Sequence, residues 1–307
     1  MAKASRSKIR MLNFIRALRL PFITASFFPY LAGALLAKPH FNALGFFLGL
    51  ITVISTHLSA NLLNDFADSK SGNDWQDKTF YSFFGGSKLI QESIFSERFY
   101  LYAALIFSFV ACVCVFALAV ALKSVLVLWL FFVILILAWG YSAQPVKLSY
   151  RKWGEVVIFV LFGPVCVMGG YFIQSGVFPA FKSFLLSLPF GFLTTAILFA
   201  NEVPDYSDDL AVGKYTWVSF MGQEHAFWVY SALIACALVC VGINIMRGFL
   251  SPFAWVSLAT LIPALKAARI LKGSARDKPR FVESSKLTIA IHTLVSMAVL
   301  LGLIVKR

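Results

Sequence analysis

The sequence predicts an all-α, polytopic membrane protein of about nine transmembrane helices. Three observations predict it. Hydrophobic residues make up 60% of the 307 residues and charged residues 13%, with a mean hydropathy of +0.81, too apolar for a soluble fold of this size. Apolar runs close to the roughly 20 residues that cross about 30 Å of hydrocarbon recur along the whole chain. Lysine and arginine, finally, segregate between alternate inter-helix segments.

In chain order the runs lie near 20–37, 44–63, 99–122, 125–141, 155–175, 183–201, 225–246, 251–265 and 287–305. The first follows a basic segment, 1–19, and ends Ala34-Leu-Leu-Ala37. That pattern also describes a cleaved leader, but losing it would cost the bundle its first helix, so it is read as a retained span. The second and sixth run into Asn64 and Asn201, each opening an acidic cluster. The breaks between the third and fourth runs and between the seventh and eighth are the shortest.

The charges test this count. Roughly four in five of the 27 Lys and Arg fall on one side, and all 14 acids, which the positive-inside rule does not use, fall on that same side. The rich side is expected to be cytoplasmic, with the amino terminus inside. The net charge of +13 therefore needs no nucleic acid: Lys3, Arg6, Lys8, Arg10, Arg16 and Arg19, with the run from Lys266 to Lys286, read as topology determinants touching anionic headgroups. Cys112, Cys114, Cys166, Cys236 and Cys240 lie inside spans with no ligand spacing and read as packing residues. His57, His225 and His292 read as packing or interface residues, and His40 sits in a short loop.

The long segments off the membrane, 65–98, 201–224 and 266–286, share the basic face, so an elaborate site belongs at that mouth of a single domain spanning 1–307. Phe80-Tyr-Ser-Phe-Phe84 is too apolar for a free linker and is expected to fold over the bundle as a cap, followed by Gly85-Gly86-Ser87-Lys88. An Asn-led acidic cluster followed by a glycine occurs twice, at Asn64–Gly72 and Asn201–Gly213, hinting at two related halves.

Asn64 and Asp68 are four apart, as are Asp205 and Asp209, so each pair projects from one helix face. Two such pairs on one membrane face can hold Mg²⁺ through a few oxygens and leave its other positions for a diphosphate. Lys88, Lys147, Arg151 and Lys214 are candidates to neutralise the phosphates.

Four blocks resemble the UbiA superfamily of intramembrane prenyltransferases. They are Arg19-Leu-Pro-Phe-Ile-Thr-Ala-Ser26 with Pro29 and Gly33; Asn64-Asp65-Phe-Ala-Asp68-Ser-Lys-Ser-Gly72-Asn-Asp74 with Gly85-Gly86-Ser87; Tyr141 to Glu155, containing Pro145, Lys147, Tyr150 and Arg151; and Asn201-Glu202-Val-Pro204-Asp205 through Asp209 to Thr216. Gly72 stands where the hydroxybenzoate branch typically has a third Asp, and the acid comes at Asp74, which resembles the naphthoate branch. Tyr215 and Phe220 stand where that branch often carries cations.

The resemblance implies a bundle around a central lipid-accessible cavity and a Mg²⁺-dependent enzyme of a bacterial inner membrane. It would transfer an isoprenyl group from a prenyl diphosphate to an aromatic acceptor: 1,4-dihydroxy-2-naphthoate on the menaquinone route or, alternatively, 4-hydroxybenzoate, homogentisate or a lipid alcohol. Implied metal ligands are Asn64, Asp65, Asp68, Asp74, Asp205 and Asp209. Asp68, Asp205, Asp209, Lys214 and Tyr141 would be catalytic, and Asn64, Lys88, Lys147, Tyr150, Arg151 and Asn201 substrate-binding. The rival readings are a cation-coupled transporter, which would place polar groups nearer the midplane, and a scaffold that binds isoprenoid without chemistry.

Overall fold

A computed structural model describes residues 2–37, 41–273 and 277–306; His40 and the side chains of Lys3, Arg6 and Lys8 lie outside the described residues. The helices are α1 (Ala2–Ala17), α2 (Thr24–Leu36), α3 (Ala43–Ser71), α4 (Glu97–Ala121), α5 (Leu126–Ser142), α6 (Gly154–Ser175), α7 (Phe181–Ala211), α8 (Ala226–Met246), α9 (Pro252–Leu271, whose first half is 3₁₀) and α10 (Lys278–Val305). No strand occurs among the described residues, only an isolated bridge between Arg151 and Tyr215.

Every apolar run read from the sequence lies on a helix, but the number of spans is counted differently by length. Seven helices are long and apolar enough to cross a membrane, eight if the bent pair Ile9–Ala17 and Leu20–Leu36 is one span. Helix α5, with 17 residues, falls short of the usual length. Large apolar side chains such as Phe109, Phe116, Trp129, Trp228 and Ile262 are exposed around the bundle, the surface lipid would cover. The chain is an integral, multi-pass membrane protein.

Association inside lipid gains little from apolar burial as such and depends on close packing at small residues. Gly163 of α6 packs on Gly191 of α7 so closely that a Cβ there would lie 2.8 Å from the Gly191 Cα. Between them α6 relaxes into a π turn, Leu161–Val165, around Pro164, which has no N–H to give. Cys114, Cys166 and Cys240 are buried, whereas Cys112 and Cys236 face outward and so pack against nothing inside the bundle.

Helices α3 and α7 run about two and nearly three turns, respectively, beyond the ends read from hydropathy, to Ser71 and Ala211. Falling hydropathy marks where apolar surroundings end, not where backbone hydrogen bonding ends. The acidic clusters are thus helical, on rigid extensions rather than in loops. The chain after α3 folds back over this end, burying Phe84, Leu89 and Ile90 against the bundle.

Two of the amino-terminal cations are not free for headgroups. Arg16 forms a two-point ion pair with Glu92 (2.7 and 3.0 Å) and lies over the Phe80 ring, and Arg19 pairs with buried Asp65. Both tie the entry to the first span onto the folded-back segment.

Candidate active site

A cavity of about 540 Å³ opens beneath this segment. Its upper wall carries Asn64, Asp68 and Asp74 from the first acidic cluster and Asn201, Asp205 and Asp209 from the second, with Arg19 and Lys214. The lower wall is apolar and aromatic, including Phe131, Phe162 and Phe172. Val133 of α5 lines the cavity and is 54% exposed, so the cavity is not sealed along this helix.

The two clusters are stitched together by hydrogen bonds. Asn73 Nδ2 donates to Asp209 Oδ1 (3.0 Å), and the Gly85 N–H donates to Asp205 Oδ2 (3.0 Å). Within the first cluster Asn64 Nδ2 donates to Asp68 Oδ2 (3.2 Å), and the Tyr150 hydroxyl to Asp68 Oδ1 (2.7 Å). Within the second, Lys214 lies 3.2 Å from Asp209 Oδ1. Buried Lys88 donates to Asp74 Oδ1 at 2.9 Å and to its carbonyl at 3.1 Å. Gly86, at φ +79°, makes room for that pair, since a Cβ there would stand 2.7 Å from Asp74 Oδ2. The loop after α5 closes one side: Tyr215 N–H donates to the Tyr150 carbonyl (3.1 Å) and Lys152 N–H to the Tyr215 carbonyl (2.7 Å).

Charge at this rim is tightly held. Burial pushes the Asp74 carboxyl up to about 7, although Lys88 pulls it back. Burial alone would lower Lys214, but Asp209 and Asp68 outweigh it and raise its pKa well above the ordinary value, so it stays protonated. Burial and the Asp68 charge both raise Tyr150, keeping its hydroxyl a donor.

Of the residues read from the sequence, Asn64, Asp68, Asp74, Tyr141, Asn201, Asp205, Asp209 and Lys214 line one cavity. Asp65 does not: i+1 from Asn64, it points to the opposite face, where Arg19 and the Ser87 N–H (3.2 Å) take its oxygens. Lys88 reaches the site only through Asp74, and Tyr150 only through Asp68. Lys147 sits over the Tyr150 ring (4.4 Å), and Arg151 donates to the Pro145 carbonyl (3.1 Å), both off the cavity wall. Tyr215 and Phe220 are 50% and 68% exposed and also off the wall, so the two missing cations are absent from the outer surface, not from the chamber. Among the described residues no three His, Cys, Asp or Glu stand close enough to hold a metal unaided.

Several wall residues escaped the sequence reading. His57, read as packing, lines the cavity and has a partner, Ser26 Oγ at 2.9 Å. His57 and Asn61 continue the stripe of Asn64 and Asp68 at helical spacing, a signal available in the sequence. Arg19 and Asn73 carried no such signal, because their partners are remote in the chain.

A membrane-embedded helical bundle whose apolar chamber is roofed by paired carboxylates and cations defines a class of enzymes that work on lipid-soluble substrates with a charged head. The chain belongs to the UbiA prenyltransferase family, whose family model matches residues 26–290, and it is a prenyltransferase. It is 27% identical over 264 residues to the 1,4-dihydroxy-2-naphthoate octaprenyltransferase of Escherichia coli, covering 83% of each chain. Its fold is that of the UbiA homolog from Aeropyrum pernix (TM-score 0.71, 17% identity, 92% of this chain and 98% of that one). It also resembles a UbiA homolog from Archaeoglobus fulgidus bound to DMAPP and Mg²⁺ (TM-score 0.61, 15% identity, 93% and 99%).

Proposed function

We propose that this chain transfers an isoprenyl group from a prenyl diphosphate to 1,4-dihydroxy-2-naphthoate, with Mg²⁺, at the cytoplasmic face of a bacterial inner membrane. The observation that carries it is the meeting of Asn64 and Asp68 with Asp205 and Asp209 over one apolar chamber. The acceptor rests on the similarity to the Escherichia coli enzyme, and the orientation on the charge partition.

The donor set fits the metal. All candidate ligands are oxygens, and Asp209 Oδ2 is buried without a partner among the described residues. Asn64, Asp68, Asp74, Asp205 and Asp209 would hold Mg²⁺. Pairs rather than triads suit this ion, which takes one or two carboxylates and fills its remaining positions with water and phosphate oxygens. When bound, Mg²⁺ supplies Lewis acidity that stabilises charge on the departing diphosphate.

The chain's own groups do the rest. Lys214 and Arg19 add fixed positive charge at the rim for the diphosphate. The apolar chamber takes the isoprenyl tail and keeps water from the allylic carbon, while the Tyr141 face stabilises positive charge there. Tyr150 and Lys88 hold Asp68 and Asp74 in place without touching substrate.

The test is product analysis by mass spectrometry with purified protein, Mg²⁺, geranyl diphosphate and the naphthoate. Prenylated product should form in the wild type and fall at least about 10-fold in Asp68→Asn and in Asp205→Asn at a fixed Mg²⁺ concentration that suffices for the wild type. Undiminished product in both variants would refute the site.

A further inference from the structure

Gly169 of α6 differs from every other glycine in the chain. Each of the rest of the 19 either holds a positive φ or has another atom within 3.4 Å of the position a Cβ would take. Gly169 has neither: its backbone is helical, and a Cβ there would meet nothing within 4 Å. A glycine inside a helix weakens it relative to alanine, so neither backbone conformation nor helix packing accounts for this one.

The open space beside it is the chamber, whose wall Gly169 forms. The next residue, Gly170, lies against α2, where a Cβ would overlap the Tyr30 carbonyl oxygen. Successive helical residues point about 100° apart, which turns Gly169 off that contact and onto the cavity.

Its depth follows from the helices. On α3 the chamber wall runs from Asp68 at the rim to Gly49, a span of 68 − 49 = 19 residues or about 28 Å. There Gly49, Tyr30 and Ile173 meet as a floor: a Cβ on Gly49 would overlap the Tyr30 hydroxyl and stand 2.6 Å from Ile173 Cδ1. Gly169 precedes Ile173 by four residues on the same face of α6, so it lies about 6 Å above the floor and about 22 Å below Asp68.

An extended chain advances about 1.2 Å per bond, and an isoprene unit contributes four chain bonds, about 5 Å. With roughly 5 Å taken by the diphosphate at the rim, a two-unit geranyl tail ends about 15 Å below Asp68, short of Gly169. A four-unit geranylgeranyl tail ends about 25 Å below, past Gly169 and above the floor.

Resting on the prenyl-donor site proposed above, we propose that Gly169 is the residue that sets the length limit of the donor. Its missing side chain keeps the bore open, so the chain accepts tails of four isoprene units, which run down between α3 and α6 to the Tyr30 and Ile173 floor. The competing course leaves the chamber beside Val133 of α5, eight residues and about 12 Å from Tyr141 at the rim, and never reaches Gly169.

The experiment uses the full chain in lipid nanodiscs with Mg²⁺, 1,4-dihydroxy-2-naphthoate and an equimolar mixture of geranyl and geranylgeranyl diphosphates. Mass spectrometry of the two products at low conversion gives the ratio of their kcat/KM values, which does not depend on how much of a variant is folded. In the wild type the longer product should at least equal the shorter. Gly169→Phe should lower the ratio of longer to shorter product at least about 10-fold, the effect of overpacking a filled bore, while geranyl transfer stays within about 3-fold. Gly169→Ala should keep the wild-type ratio within about 2-fold and melt no lower than the wild type, because its methyl group meets no neighbour. Should Gly169→Phe fail to fold, Gly169→Leu carries the same comparison with a shift of at least about 3-fold.

An unchanged ratio in both bulky variants, which the course past Val133 predicts, overturns the assignment, as does an equal loss toward both donors or a wild type confined to the shorter one. In each of these outcomes the wild type still prenylates the naphthoate and the functional reading stands. A wild type that yields neither product overturns both.

Discussion

Replacing Asp65 by asparagine separates a structural carboxylate from a metal-binding one only three residues away. The Asp65 side chain is 2% exposed and its partner Arg19 22% exposed, so the change leaves a mostly buried guanidinium without its counter-charge. Breaking a fully buried pair costs about 3–5 kcal/mol, and water reaching the exposed part of Arg19 recovers some of it, leaving roughly 2–3 kcal/mol. The amide oxygen introduced by Asp65→Asn can still accept from the Ser87 N–H, so that bond is not counted as lost. For a domain of this size the loss corresponds to a fall of roughly 5–10 °C in melting temperature. Tryptophan fluorescence of detergent-purified protein during heating would measure it, alongside Mg²⁺ titrations of activity. Half-saturation by Mg²⁺ should stay within about 2-fold in Asp65→Asn and rise at least about 10-fold in Asp68→Asn, because only Asp68 faces the chamber. Unmoved melting with a raised Mg²⁺ requirement in Asp65→Asn would refute the reasoning.

Asp74 titrates near 7 in the folded protein against an ordinary 3.8, so the stability it contributes is fully present below about pH 4 and lost as pH rises through about 7. Melting curves of metal-free protein across that window should therefore fall with rising pH, less steeply in Asp74→Asn and with Mg²⁺ added. Lys278 bridges Asp77 (2.9 Å) and Asp208 (2.6 Å), pinning the folded-back segment to α7 and α10. Lys278→Ala should speed limited proteolysis after residue 77 by about 5- to 10-fold, worth roughly 1 kcal/mol for a partly exposed pair. Gly163→Val should lower the melting temperature and the monodisperse yield on size exclusion, by roughly 1–3 kcal/mol of overpacking, since its Cβ meets backbone atoms of α7 that have no room to yield.

Most of the site was legible from spacing. Asn64 and Asp68, and Asp205 and Asp209, were readable as pairs on helix faces because four residues make one turn, and Lys214 was readable as a cation following the second pair. The same periodicity would have exposed Asp65 as facing away and Asn61 as facing in, had the stripe been followed past the motif. Lys147 and Arg151 were beyond that logic: their backbone leaves a helix at Ser142, and side-chain direction in a turn has no period to read. Their ammonium and guanidinium groups found an aromatic face and a carbonyl instead of the chamber.

What the sequence determined by itself was the solvent, the helices and the two acidic stripes, because hydropathy and helical period are local properties of a chain forced to satisfy its backbone inside lipid. The tertiary structure alone decided which groups meet around the chamber: Asn73 with Asp209, the Gly85 amide with Asp205, Arg19 with Asp65. These partners lie tens of residues or more apart. Their meeting depends on how closely Gly163 and Gly191 let two helices approach and on where the segment after Ser71 folds back, neither of which any local pattern encodes.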